Sequence, residues 1–181
     1  MKKRSMADLN RLTPEAFRRS GKIPVIVVLD NVRSALNVGS AFRTADAFAV
    51  EKIVLCGISA QPPHREILKT ALGATDSVTW IYFEDSAVAA QSLKAEGYSI
   101  IGIEQAEDSV LLQMFEPQTE GRYALFFGNE VNGVSDEVLA VADACIEIPQ
   151  AGTKHSLNIA VCVGVVVWEF FRHYHLINKV Q

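Results

Sequence analysis

Val25-Ile26-Val27-Val28-Leu29, followed at once by Asp30-Asn31, is an unbroken apolar run, mostly β-branched, that ends on a polar pair. A run without polar alternation marks a strand buried on both faces, as in a parallel sheet covered by helices. Runs of the same kind recur at Lys52–Cys56, Val78–Phe83, Tyr98–Ile103, Tyr123–Phe127 and Cys145–Ile148. The spacing between them predicts helices over Val38–Phe48, Arg65–Leu72, Ser86–Glu96 and Asp136–Val141. Ser135 stands at the cap position of the last, with acids in its first turn. Upstream, Thr13-Pro14-Glu15 reads as a helix start: a capping hydroxyl, proline at the first helical position, then an acid. That helix passes Phe17 and stops near Gly21. A final helix is expected from about Ser156 to His175. Strand alternating with helix predicts an α/β fold, a mostly parallel sheet flanked by helices.

The totals fit a single unit. The 181 residues are 49% hydrophobic and 21% charged, the balance of a globular domain with a real core. The division expected is a basic helical extension over 1–22 and one folded domain over 23–181. Cys56, Cys145 and Cys162 are odd in number, far apart and set among apolar residues. They read as free thiols in a reducing cytoplasm, with no metal site. The most apolar stretch, Ile159 to Trp168, is too short to span a bilayer, so no membrane partner is expected. Net charge is −4, which disfavours a nucleic-acid partner, but the distribution is uneven. Residues 1–22 carry seven cations (Lys2, Lys3, Arg4, Arg11, Arg18, Arg19, Lys22) against Asp8 and Glu15. A local basic face can contact phosphates on an acidic protein. A solvated leader that aids solubility is the plain alternative.

In open α/β sheets ligands gather beyond the carboxyl ends of the strands. That rule singles out the segments after Leu29, Ile103, Phe127 and Ile148. The common small-ligand fingerprints are missing from them. No Gly-x-Gly-x-x-Gly follows the first strand and no glycine-rich loop ends in Gly-Lys-Ser/Thr. There is no Gly-x-Ser-x-Gly elbow. His64, His155, His173 and His175 lack metal-ligand spacing, the last two standing at i and i+2 of a helix.

Three polar clusters remain. The first runs from Asp30 to Asp46 and holds Asn37-Val38-Gly39 and Arg43-Thr44-Ala45-Asp46. Taken alone it reads as a helix cap and a surface arginine paired with Asp46. The second is Gly128-Asn129-Glu130-Val131-Asn132-Gly133, which alone is an ordinary strand-to-helix turn. The third runs from Ile148 to Asn158, where Ser156 serves as a cap for the last helix.

Together and in this order, the clusters resemble the motifs of the SpoU (TrmH) family of SPOUT-superfamily RNA 2′-O-ribose methyltransferases. Asn37-Val38-Gly39 with Arg43-Thr44-Ala45-Asp46-Ala47-Phe48 resembles the first motif. Gly128-Asn129-Glu130 with Gly133 resembles the second. Ile148-Pro149, Gly152 and Ser156-Leu157-Asn158 resemble the third, and Lys69-Thr70-Ala71-Leu72-Gly73-Ala74 a weaker pattern ending in Gly-Ala. The resemblance covers about residues 24–172. It departs at Gln150, where members often have Met, and at Ala49, where Gly often follows the aromatic.

The resemblance implies a C-terminal trefoil knot from about Tyr123 onward, a topology nearly absent elsewhere. It implies a homodimer through the last helix, which would bury apolar residues that occupy every face of Ile159–Phe171. It implies S-adenosylmethionine as cofactor, cradled by Ile103, Gly128, Ile148 and Leu157 with Glu104, Asn129 and Gln150 nearby. Gly128, Gly133 and Gly152 would permit tight turns close to that ligand. Asn37, Glu130, Ser156 and Asn158 would organise the reaction centre, and Arg43 would act on the ribose hydroxyl. A guanidinium is a poor general base, so Arg43 either accepts a proton under the influence of a phosphate or positions the RNA while water takes it. The expected activity is 2′-O-methylation of structured RNA, with tRNA the favoured class. Ribosomal RNA and a non-catalytic RNA-binding role are the alternatives. RNA contacts are expected from Arg18 and Arg19 in the leader, and from Arg33, His64, Arg65 and Lys69 near the site. Arg172, His173, His175 and Lys179 would add to them. Each is equally readable as solvated charge.

Overall fold

The computed structural model describes Lys3 and residues 11–180, with side chains through His175. The leader residues Lys2, Arg4 and Asp8, and the side chain of Lys179, lie outside the described residues. Helix α1 (Pro14–Arg19) begins as its sequence predicts, the Thr13 hydroxyl accepting the Ala16 N–H at 3.2 Å. Strand β1 (Ile23–Asp30) follows, buried on both faces from Val25 to Asp30.

The remaining strands are β2 (Val50–Cys56), β3 (Trp80–Phe83), β4 (Ser99–Ile103), β5 (Val110–Leu111), β6 (Tyr123–Phe127) and β7 (Ala144–Glu147). They form one sheet in the order β3-β2-β1-β6-β4-β7-β5, and every pairing is parallel. Alternate residues of β1 feed two cores. Val25, Val27 and Leu29 pack into a cluster with residues of α2 (Ala35–Ala47), α3 (Arg65–Ala71), α4 (Ala74–Ser77) and α7 (Ile159–Val180). Ile26 and Val28 pack with residues of α5 (Ser86–Ala95) and α6 (Asp136–Leu139) on the other face. Each such aliphatic side chain contributes roughly 1.5–3 kcal/mol before chain entropy is counted. The continuous apolar runs are thus explained by helices on both sides of the sheet.

The boundaries differ from the sequence reading in instructive places. Helix α2 starts at Ala35 because the Ser34 hydroxyl accepts the Asn37 N–H at 3.3 Å. Asn37 is therefore one turn inside the helix and its carboxamide is released for other work. The last helix starts at Ile159, not Ser156, and its cap is Asn158, whose Oδ1 accepts the Ala160 N–H at 2.9 Å. Ser135 precedes α6 without a side-chain cap bond; its hydroxyl lies 3.2 Å from that of Ser86. Asp46 does not pair with Arg43 but accepts the Ser77 hydroxyl at 2.5 Å. Helix α4 and strand β5 escaped sequence reading, being too short for any period to register.

Gly39 has a packing reason. A Cβ there would fall 2.1 Å from Thr70 Oγ1 and 2.4 Å from the Ile67 carbonyl oxygen. Only a hydrogen at that position lets α3 lie so close to α2.

Helix α7 runs back along the sheet. It begins beside the carboxyl ends of the strands, and its Tyr174 hydroxyl donates to the Gly121 carbonyl, just before β6, at 2.6 Å. Val163, Val166, Val167 and Phe170 are buried beneath it. Val161, Val165 and Trp168 stay 52%, 39% and 49% exposed. The apolar excess read from the sequence is therefore a stripe at i, i+4 and i+7 left open to solvent.

Candidate functional site

Strands β6, β4 and β7 are neighbours, and a cavity of about 320 Å³ opens beyond their carboxyl ends. Its walls are three loops and the first turn of α7. Ile103, Glu104 and Gln105 extend β4, the segment 128–133 extends β6, and residues 146–157 extend β7. Every residue assigned to the cradle by sequence lines it: Ile103, Glu104, Gly128, Asn129, Ile148, Gln150 and Leu157. Glu130 and Ser156 line it as well.

The 128–133 segment is folded by its own amides. Asn129 and Gly133 exchange backbone bonds of 3.2 and 2.9 Å, and the Asn129 Oδ1 accepts the Val131 and Asn132 N–H groups at 3.0 Å each. The Glu104 carboxylate clamps the end of the turn, Oε2 accepting the Val134 N–H at 3.1 Å. Gly133 sits at φ +67, and a Cβ there would meet Glu104 Oε2 at 2.0 Å. Gly128 has the tighter demand, since its Cβ would lie 1.8 Å from the Gly133 carbonyl carbon. Gly152 meets no such constraint, with nothing within 4 Å of a Cβ, so close approach does not explain it.

At the rim the structure joins three of the sequence candidates. The Asn37 Nδ2 donates to Glu130 Oε1 at 2.8 Å, and the Asn158 Nδ2 donates to Asn37 Oδ1 at 3.3 Å. Glu130, Asn37 and Asn158 thus form one chain of hydrogen bonds from the turn, through α2, to the cap of α7. Ser156 is exposed on the same cavity wall, with no side-chain bond among the described residues.

Arg43 is not there. It stands on the exposed side of α2 and lines a separate groove between α2 and α3 with Ser40, Thr44, Phe48, Lys69 and Thr70. Phe48 at its edge packs against Trp168, ring centroids 5.6 Å apart. The groove therefore adjoins the exposed stripe of α7.

The RNA candidates are spread over the surface. Lys69 shares the groove with Arg43, and Arg33 lines a third cavity on the far side of the 129–133 turn. His64 caps α3, its Nδ1 accepting the Glu66 N–H at 3.2 Å, and Arg65 is exposed beside it. Arg18 donates to the Asp76 carbonyl and ties α1 to α4, while Arg19 is exposed. Both precede β1 and lie at the amino ends of the strands, away from the cavity. Arg172 is paired with Glu169, and His175 stacks on Phe171 with centroids 5.0 Å apart.

Sequence reading missed Gln105 and Cys162 in the cavity wall, and Asp30. Gln105 donates from Nε2 to the His155 carbonyl at 3.1 Å, bridging two of the three loops. Burial, with the Glu104 charge second, pushes the Cys162 thiol up to about 12. Asp30 is 1% exposed and accepts the Ser135 N–H at 2.9 Å. Its signal was an acid placed directly on the end of a doubly buried strand.

The residues fit an adenosyl cofactor. Backbone turns approach closely at Gly128 and Gly133, Ile103, Ile148 and Leu157 give apolar walls, and Glu104 and Gln150 add polar groups. Asn158 has two tasks here, cap and link, and it is exposed. Asn158→Ala should lower stability by about 1 kcal/mol through loss of the cap. It should lower turnover by about tenfold or more, because Asn37 and Glu130 lose their tether. Thermal melts and single-turnover rates equal to those of the parent protein would remove Asn158 from both tasks.

A parallel sheet with a looped cradle at its carboxyl ends, rimmed by an amide–carboxylate chain, defines an α/β ligand-binding domain equipped for chemistry at the rim. The chain belongs to the SpoU rRNA Methylase family, whose pattern it matches over residues 24–168. The 23S rRNA (guanosine-2'-O-)-methyltransferase RlmB of Salmonella typhi is 32% identical over 149 residues, covering 82% of this chain and 60% of that protein. The tRNA (guanosine(18)-2'-O)-methyltransferase TARBP1 of Mus musculus is 30% identical over 151 residues, covering 82% of this chain and 9% of that protein. Among solved structures, an AdoMet-bound rRNA methyltransferase from Sinorhizobium meliloti superposes with a TM-score of 0.78 at 28% identity, over 88% of this chain and 59% of that one. The chain spans about three fifths of the length of the RlmB relatives it matches.

Proposed function

We propose that this protein binds S-adenosylmethionine in the β4–β6–β7 cavity and methylates a ribose 2′-hydroxyl of structured RNA, tRNA being the favoured class. The carrying observation is the cradle beside the Glu130–Asn37–Asn158 chain. The RlmB relatives favour ribosomal RNA as the second reading. A non-catalytic RNA-binding role is disfavoured, because the three rim residues are present and joined. Mass spectrometry of nucleosides from separated tRNA and rRNA, with and without the protein, decides. A 2′-O-methyl nucleoside lost from tRNA supports the first reading, loss from rRNA supports the second, and no loss overturns both.

Ile103, Gly128, Ile148 and Leu157 would hold S-adenosylmethionine, whose sulfonium would supply an activated methyl group to the ribose oxygen in exchange for its proton, with a neutral thioether as the leaving group. The protein's part is orientation. Glu130, Asn37, Ser156 and Asn158 fix the rim against which the ribose lies. Arg43 positions the RNA through a phosphate and stabilises developing charge, and water takes the proton, since a guanidinium is a poor base.

Arg43 lies outside the cavity of its own chain, in a groove that adjoins the stripe of Val161, Val165 and Trp168. A homodimer through that stripe would bury it and bring Arg43 toward the partner subunit's cavity. Val165→Glu should then give monomers and abolish methylation, because an unpaired charge would have to leave water at the interface. An active monomer in sedimentation would refute the arrangement. The chain path beyond Tyr123 supports the trefoil knot: β6 enters between β1 and β4, β7 forms beyond β4, and α7 returns to pack on α2. The working division is 1–22 as a basic helical extension and 23–181 as the methyltransferase domain, and the free cysteines favour a reducing cytoplasm as its compartment.

A further inference from the structure

Asp30 ends β1 where that strand and β6 part: Leu29 pairs with Phe127, and Gly128 opens the turn that carries Glu130. In the other direction Asn31 opens the loop into α2, which carries Asn37. Resting on the methyltransferase reading, we infer that Asp30 is a positioning residue for the reaction, the joint that sets Glu130 against Asn37 at the rim of the cradle.

Each oxygen of Asp30 serves one of the two segments. Oδ1 accepts the Asn31 Nδ2 at 2.8 Å, and Oδ2 accepts the Ser135 N–H, at the close of the turn, at 2.9 Å. Both partners are fixed from behind. Asn31 is held at φ +57, its Oδ1 accepting the Ile58 N–H at 3.2 Å, and a Cβ on Gly57 would strike that oxygen at 2.2 Å. Ser135 leads into α6, and its hydroxyl lies 3.2 Å from that of Ser86. A shift of either segment therefore pulls on the carboxyl between them.

Asp30 is 1% exposed, and no cation lies within ion-pair distance of it among the described residues. A buried carboxyl without an ion pair does not stabilise a fold by charge alone, and loss of either donor would leave an oxygen unsatisfied. Glu104 grips the same stretch from the other side, through the Val134 N–H at 3.1 Å. Adjacent amides are thus held by carboxyls from the two strands that flank β6. The work divides between them. Glu104 shapes the cofactor's side of the turn, and Asp30 sets the 2.8 Å bond from Asn37 to Glu130. Misplacing a reaction centre by about 1 Å is enough to slow it by about a hundredfold.

The test exchanges the pair. An amide has one acceptor atom where a carboxyl has two, so Asp30→Asn must break one joint. In the double variant Asp30→Asn/Asn31→Asp the new amide donates to the new carboxyl, whose second oxygen takes the Ile58 N–H, and every bond is restored. Asp, like Asn, accepts the left-handed backbone at position 31. Asp30→Asn should lower kcat at saturating RNA by about tenfold or more, while the dissociation constant for S-adenosylmethionine stays within about twofold. The side-chain amide signal of Asn37, followed in cofactor-free protein with ¹⁵N-labelled asparagine, should move toward that of a solvated carboxamide. The double variant should return both kcat and signal to those of the parent. A merely structural Asp30 would lower the melting temperature without moving the Asn37 signal below the melt. Parent-like kcat and signal in Asp30→Asn, equal losses of kcat and cofactor affinity, or no recovery in the double variant would overturn the joint. Should Asp30→Asn not fold, Asn31→Gly frees the loop from Asp30 at a φ that glycine accepts. It should show the same loss and the same shift, and parent-like values would again overturn the joint. If the parent methylates neither tRNA nor rRNA, the methyltransferase reading fails, and the Asn37 signal still decides the joint.

Discussion

Arg43→Ala should leave the melting temperature and the affinity for S-adenosylmethionine unchanged and reduce turnover at saturating RNA by about a hundredfold or more, the scale for loss of one charge-stabilising donor. Arg43 is exposed on α2 and touches none of the cradle, so neither the fold nor the cofactor depends on it. Mixing tests its placement. Arg43→Ala subunits combined with Asn158→Ala subunits should recover activity, since a mixed dimer holds one site with both residues intact. Stopped-time assays at saturating RNA decide the first part, and coexpressed tagged subunits the second. Undiminished turnover would leave Arg43 a solvated surface charge, and failure of mixed dimers to recover would place it in its own subunit's reaction.

Gly128→Ala should be the most damaging single-methyl change in the molecule. The new Cβ would lie 1.8 Å from the Gly133 carbonyl carbon, 2.0 Å from its oxygen and 2.1 Å from the Val134 nitrogen. All three are backbone atoms, so no side chain can rotate aside and the 129–133 turn must open. Opening breaks the Asn129–Gly133 bonds and the Glu104 clamp together. Overpacking of this kind costs about 3 kcal/mol, which for a chain of this size lowers the melting temperature by about 10 °C. Cofactor binding should be lost with the turn. Gly152→Ala is the matched control, for nothing lies within 4 Å of its Cβ, and it should melt and bind as the parent does. Calorimetry on the two variants tests the contrast; a Gly128→Ala protein that binds cofactor normally would show that the turn is not part of the cradle.

The α/β class was legible because the burial of β1 on both faces is written into Val25–Leu29 without reference to any distant residue. The start of α1 was legible for the same reason, a hydroxyl, a proline and an acid within one turn. The strand-end rule singled out the segments after β4, β6 and β7 that line the cavity, because loops converge at the carboxyl ends of parallel strands, and the residues named within them came from family resemblance. Local pattern failed where two caps competed. Ser34 and Asn37 are both plausible caps of α2, and Ser34 takes the cap while the Asn37 carboxamide bonds Glu130; of Ser156 and Asn158, Asn158 both caps α7 and bonds Asn37.

What the sequence determined by itself, then, is local: which segments are strands, which are capped helices, and which polar clusters sit at strand ends. Motif resemblance added the family. The tertiary structure alone decided that Glu130 meets Asn37 across 93 residues and that Asn37 meets Asn158 across 121. It alone separated Arg43 from the cavity and left Val161, Val165 and Trp168 uncovered. Those outcomes follow from strand order, with β6 placed between β1 and β4. Strand order is settled by how the helices pack across the whole sheet, and no window of neighbouring residues carries that energy.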